Sequence, residues 1–170
     1  MKQRISLAFI CLLIGNIVIA QVSFKTVLGK KANYKISIPS DYIAKTIIGE
    51  NVDLKFTNSE GATIVTVVNK LPVEYNDNDI LEMQKLSNNE VIEQFEARGM
   101  FNVTLLKKGI LKINGVNSFY TYCHDNLLYY HSITQFKKGK IINLTYTCEY
   151  SKLNSYSAYI FRVVNSLKHF

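Results

Sequence analysis

The chain has 170 residues, 48% of them hydrophobic, with 20 Lys and Arg against 13 Asp and Glu. That length suits one domain, and no internal repeat, low-complexity tract or dividing linker breaks it. The basic residues fall mostly in turn-like stretches, Lys30-Lys31, Lys107-Lys108 and Lys137-Lys138 with Lys140. Nucleic-acid binding calls for Lys and Arg clustered on one face, so these pairs read as solvated hairpin tips and edge protection. The alternative is an anionic partner such as phospholipid or polysaccharide.

Residues 1–20 read as a signal peptide. Lys2 and Arg4 give a positive start, Ile5 to Ala20 is apolar, and Ala20 before Gln21 supplies the small residue that cleavage needs. The run is shorter than the roughly 20 apolar residues of a spanning helix, and Gly15 and Asn16 interrupt it. No second run of that length follows. Cys11, preceded by Phe9-Ile10, is a poor site for lipid attachment. The mature chain is then 21–170. Of the 20 basic residues, Lys2 and Arg4 leave with the leader, so 18 face 13 acidic ones, a net of +5. The expected location is exported, periplasmic or secreted.

Val22 to Leu28 and Ala32 to Pro39 form an expected N-terminal hairpin, ended by the proline. Ser40 to Glu50 is ambiguous. Val52 to Thr57 and Ala62 to Asn69 flank a four-residue turn and make a second hairpin. Asp79 to Arg98 is helical, with capping boxes at Asp79/Glu82 and Ser87/Glu90 that split it in two. Gly99 follows as a C′ residue. Phe101 to Ile113 returns to strand with a bulge expected near Gly109. Asn114-Gly115 is the strongest hairpin signal and opens a meander that runs to Tyr150. Ser151 to Lys168 is the last helix, with Tyr156, Ile160, Val163, Val164 and Leu167 on one face. Lys168 and His169 suit the negative end of its dipole.

The stretch Val116–Tyr150 is the expected centre of the sheet. A two-residue turn at Asp125-Asn126 sets His124 opposite Leu127. A three-residue turn at Lys137–Gly139 sets Phe136 opposite Lys140. Alternation then puts Phe119, Thr121, Cys123, Leu128, Tyr130, Ile142, Leu144, Tyr146 and Cys148 on one face. Tyr120, Tyr122, His124, Leu127, Tyr129, His131, Ile133, Asn143 and Thr145 fall on the other. Both faces are too apolar to stay in water, so cover on each side is expected. The expected fold class is α+β, a three-layer α/β/α sandwich with a central antiparallel sheet.

The order of elements resembles the PsbP-like superfamily, which includes photosystem II accessory proteins and a Ran-binding nuclear import factor. An early strand ends in ISIP, and a strand pair precedes a helix. A meander then carries ILKINGVNSFYTYC, and an amphipathic helix ends in VVNSLKHF. The likeness covers about Ala32 to Phe170 and is nearest to the small exported bacterial members. It implies the same sandwich, and a binding or assembly role rather than a reaction. No site motif carries over.

Catalytic and metal chemistry find little purchase. On the expected register Cys123 and Cys148 lie two strands apart, roughly 9.5 Å, beyond the ~7 Å reach of a disulfide. They are expected as free buried thiols. His124 and His131 come out roughly 13 Å apart, too far to share a metal. Cys123 and His124 point to opposite faces, so they make no nucleophile–base pair. No cofactor is expected. One patch stands out, Tyr120, Tyr122, Tyr129 and His131, expected as a square on the mixed face. It suits either a ligand or partner face or packing under a helix. The leading expectation is an exported, non-catalytic binding or assembly module whose partner is an envelope protein. The alternatives are a small-ligand or lipid carrier using the tyrosine face, and an enzyme with scattered site residues.

Overall fold

The computed structural model describes residues 22–170; the expected signal peptide and Cys11 lie outside them. The strands are β1 (Phe24–Leu28), β2 (Tyr34–Pro39), β3 (Ile43–Ala44), β4 (Val52–Thr57), β5 (Thr63–Lys70), β6 (Thr104–Ile113), β7 (Val116–His124), β8 (Leu128–Lys137), β9 (Lys140–Glu149) and β10 (Lys168–His169). The helices are α1 (Asn88–Glu96) and α2 (Leu153–Asn165), and a 3-10 segment spans Asp77–Lys85. A small sheet has the order β1-β2-β10, and the main antiparallel sheet has the order β3-β4-β5-β9-β8-β7-β6.

Both early hairpins and the four-strand meander β6–β9 form as the alternation predicts. So does the break at Ser87. Its hydroxyl accepts from the Glu90 amide, and the Glu90 carboxylate accepts from the Ser87 amide. The first cap lies earlier than expected. Asn76, not Asp79, opens the 3-10 segment, and Asp79 is the residue that reaches back to the Asn76 amide. The β6 bulge sits between Leu105 and Lys107 rather than near Gly109. The last helix stops at Asn165, and Lys168 and His169 pair with β2 as a strand instead of capping a dipole.

The two meander turns differ from expectation in opposite ways. The β7–β8 turn places four residues, 125–128, between His124 and its partner Tyr129, the last of them already paired with β9. The Asp125 carboxylate drives this, accepting from the Leu127 and Leu128 amides and from the Tyr130 hydroxyl, all at 2.7 Å. A slip of two residues keeps every side chain on its face. The β8–β9 turn uses two residues, Lys138 at φ 50 and Gly139 at φ 72, so Lys137 pairs with Lys140. That is the left-handed pair of a type I′ turn. Relative to the three-residue reading it slips β9 by one residue, and a one-residue slip flips every side chain. Ile142, Leu144, Tyr146 and Cys148 therefore share a face with Tyr120, Tyr122, Tyr129 and His131. Asn143 and Thr145 join Phe119, Thr121, Cys123 and Tyr130.

Each face has its own core. Ile80, Val91, Phe95 and Val103 pack with Phe119, Cys123 and Tyr130 on one side. On the other, Tyr156, Ile160, Val163, Val164 and Leu167 pack with β2 and with Ile64, Ile133, Ile142, Leu144 and Tyr146. The covers are offset. The 3-10 segment touches β6, β7 and β8, whereas α2 touches β8, β9 and β2. They overlap on β8, and Tyr129 to Ile133 are consecutively buried there. The three-layer α+β sandwich follows.

Cys123 and Cys148 are both free and buried, and they lie on opposite faces rather than on one. Burial pushes the Cys123 thiol up to about 12 and the Cys148 thiol up to about 11. Neither is a thiolate at pH 8, and thiolate is the reactive form. In the folded protein both are expected to resist a thiol reagent that labels them fully in urea, read by peptide mass spectrometry. A Cys123–Cys148 disulfide peptide would overturn the strand order.

Candidate functional site

Tyr120, Tyr122, Tyr129 and His131 share one face of the sheet, but not as a square. Tyr122 pairs with His131, Tyr120 with Ile133 and His124 with Tyr129. The Tyr120 and Tyr122 ring centroids are 4.9 Å apart, and the Tyr122 and His131 centroids 4.2 Å. A Cβ on Gly109 would come within 3.0 Å of the Tyr120 hydroxyl, so the glycine makes room for that ring over β6. Tyr129 and His131 are buried, while Tyr120 and Tyr122 are half-buried at the margin of the α2 core. Tyr120 and Tyr122 thus form a ledge on β7 at the edge of the helical cover, backed by buried Tyr129 and His131. Among the described residues His131 Nε2 is enclosed without a hydrogen-bond partner. His124 lies two residues from His131 along the sheet, nearer than expected, and stacks on Tyr150 at 4.2 Å.

A second feature has no local signature in the sequence. A cavity of about 690 Å³ opens between the end of β2, the β4–β5 turn and the first turn of α2. Tyr42, Tyr156 and Tyr159 are aromatic lining, and Asn58, Glu60 and Lys152 are polar lining. The Tyr156 hydroxyl accepts from Asn58 Nδ2 at 2.9 Å and donates to Glu60 Oε2 at 3.0 Å. Lys152 Nζ lies 3.2 Å from the same carboxylate oxygen. The Tyr156 and Lys152 contacts hold Glu60 below its ordinary carboxylate range. Behind the wall, the Tyr42 and Tyr146 hydroxyls share a hydrogen bond. Tyr146 neighbours Tyr156 at 6.2 Å between centroids, and Tyr156 neighbours Tyr159 at 6.1 Å.

The volume is that of a small-molecule site, with apolar walls and a few polar groups to orient a ligand. Tyr156 was legible only as part of the buried stripe of its helix. The Asn58–Tyr156 and Tyr42–Tyr146 contacts join residues 98 and 104 positions apart. Among the described residues, no three His, Cys, Asp or Glu are grouped to hold a metal ion.

No protein-family model matches the chain, and no curated protein matches it in sequence. Solved structures do. PsbP from the cyanobacterium Synechocystis sp. PCC 6803 aligns with a TM-score of 0.66 at 11% identity, over 88% of this chain and 94% of that one. LpqN of Mycobacterium tuberculosis, described as involved in cell envelope biogenesis, aligns with a TM-score of 0.57 at 9% identity, over 87% and 91%. Identities this low concern the fold alone. The chain has the PsbP-like fold, as its order of elements predicts.

Burial lowers His131 to about 4 from an ordinary 6.5. Tyr122 meets its ring edge-on, and among the described residues no carboxylate is bonded to it to offset the loss of water. As pH falls from 6.5 to 4 the unfolded chain takes up this proton and the folded chain does not. Stability therefore declines through that window, by about 3 kcal/mol from this group. His131→Phe is expected to remove that part of the slope. Urea unfolding of both proteins across the window checks it, and a pH-independent difference between them would show that His131 is hydrated in the folded state.

Proposed function

We propose that the protein is an exported, non-catalytic binding module of the cell envelope, and that the cavity at the start of α2 receives its ligand or a partner's side chain. The cavity is the observation that carries this reading. Its walls combine tyrosine rings with a fixed Asn58–Tyr156–Glu60–Lys152 chain of hydrogen bonds, which suits recognition of a group with both donors and acceptors. Glu60 is held toward its charged form, the opposite of the raised carboxyl that general acid catalysis uses. Export rests on the basic start and apolar run of residues 1–20. The envelope setting draws support from LpqN, which is described as involved in cell envelope biogenesis; a shared fold is an analogy for function and no more.

A second reading puts a small ligand or lipid on the tyrosine ledge. The half-buried rings of Tyr120 and Tyr122, 4.9 Å apart on one face, favour it.

Photo-crosslinking residues at Ser155, beside the cavity, and at Tyr122, on the ledge, separate the two in the native envelope. A reproducible, near-stoichiometric adduct from position 155 and none from 122 is expected, with an N-terminus at Gln21. Tyr122→Phe and Tyr129→Phe should leave both that adduct and stability unchanged. Adducts from 122 alone would move the site to the ledge. With the domain folded and exported, no adduct from either position and no bound molecule by native mass spectrometry would overturn the binding-module reading.

A further inference from the structure

The β3–β4 connection exposes two adjacent isoleucines. Ile47 is 37% exposed and Ile48 is 83% exposed. The loop is held from several sides. The Lys45 amide donates to the Lys55 carbonyl at 2.9 Å, Val52 to Gly49 at 3.3 Å, and Val68 to Asn51 at 2.9 Å. The two ends of the connection are therefore tied to the sheet, and Ile48 between them stands largely in solvent.

Four lysines lie on the connection or on backbone bonded beside it. Lys45 lies in the connection and Lys55 is bonded to it. Lys31 Nζ donates to the Glu50 carbonyl. The Lys30 and Lys31 amides donate to the Asp53 carboxylate at 3.0 Å each. Lys30, Lys31 and Lys45 are exposed and Lys55 is half-buried. In residues 28–31 and 43–57 the acidic side chains are Glu50 and Asp53. Asp53 is buried and taken up by those two amides and by the Tyr34 hydroxyl. Four lysines thus face one exposed carboxylate.

We propose that this loop docks the protein on an anionic phospholipid bilayer, with Ile47 and Ile48 entering the head-group boundary and Lys30, Lys31, Lys45 and Lys55 engaging lipid phosphates. Charge complementarity selects an anionic surface, and lysines near such a surface each strengthen binding about fivefold. Adjacent exposed isoleucines among lysines select a bilayer over a folded acidic protein. A protein partner would need a hole shaped for the tip, whereas head groups part around it and bury its apolar area. The inference uses this surface alone and is independent of what fills the cavity.

The chain contains no tryptophan, so Ile48→Trp in the mature chain, 21–170, reports on the loop tip alone. Phe161→Trp, at an exposed position on α2 (68%), is the positional control. Both are mixed with phosphatidylglycerol-containing vesicles carrying brominated acyl chains and with phosphatidylcholine vesicles. The expected result is a blue shift and quenching at position 48 on the anionic vesicles, with neither at position 161. Replacing Lys30, Lys31 and Lys45 together by Gln should weaken vesicle binding about a hundredfold. About 0.5 M salt should weaken it in the same direction. Circular dichroism and urea midpoints confirm that the variants fold. Absence of quenching at position 48, equal quenching at 48 and 161, or equal quenching on phosphatidylcholine would each overturn the proposal. A blue shift reproduced by soluble polyglutamate without a bilayer would overturn it in favour of an acidic protein.

Discussion

The Lys138-Gly139 turn decides which side of β9 meets which core. Its two left-handed residues are braced from outside: the Lys138 amide donates to Asp77 Oδ1 at 3.0 Å, and the Leu71 amide donates to the Gly139 carbonyl at 2.9 Å. Lys137 adds an ion pair to Asp77 at 3.3 Å. One residue more in the turn would carry Ile142, Leu144, Tyr146 and Cys148, all buried, to the face now holding Asn143, Thr145 and Thr147. Exposing four such side chains costs on the order of 10 kcal/mol, comparable to the whole stability of a domain. The polar face is also internally satisfied. Asn143 donates to Thr134 and accepts from Thr145, and Thr145 shares a hydrogen bond with Ser132. Both faces of β9 therefore reject the alternative register.

The core under α2 is built with phenols rather than aliphatic groups alone. Tyr34 places its hydroxyl 2.6 Å from both Asp53 and Thr66, Tyr42 and Tyr146 bond each other, and Tyr156 ends on Asn58 and Glu60. A buried phenol hydroxyl without a partner costs about 1–3 kcal/mol, and each of these hydroxyls avoids that cost by bonding a second element. Tyr34 ties the small sheet to β4 and β5, and Tyr42 ties the β2–β3 connection to β9. Tyr156 ties α2 to the β4–β5 turn. The cavity opens where this series of rings reaches the surface.

Much of this was legible in the sequence because it is local. Alternation in ANYKISIP and ATIVTVVN marks strands. The Ser87/Glu90 box marks a helix start. Asn114-Gly115, at φ 48 and 84, marks a turn. The stripe from Tyr156 to Leu167 marks the buried face of a helix. What failed depends on choices that local pattern leaves open. Lys137-Lys138-Gly139 can turn in two residues or three, and only the bracing by Asp77 and Leu71 from outside the hairpin selects two. Asp125 lengthens its loop by accepting from two amides inside it. Lys168 and His169 suit a helix end equally well until β2 offers an edge to pair with. The cavity was invisible because its wall joins residues about a hundred positions apart. The tyrosine face was recognised as a set, yet its geometry moved with the register.

The cavity and the isoleucine loop lie at opposite ends of one strand. β4 begins at Val52, next to Asn51 of the loop, and ends at Thr57, next to Asn58 of the cavity. Six residues of strand span about 20 Å. Ile47, Ile48, Lys30 and Lys31 therefore lie toward the end of β4 away from the mouth framed by Asn58, Glu60 and Lys152, with Lys45 and Lys55 between the two. The two features do not compete for the same contact. The offset layers allow this arrangement, because α2 covers the side of the sheet where the cavity forms and leaves the β3–β4 connection bare. Occupation at one end leaves the groups at the other end free, so attachment to a surface and recognition of a ligand can be separate properties of a single small sheet.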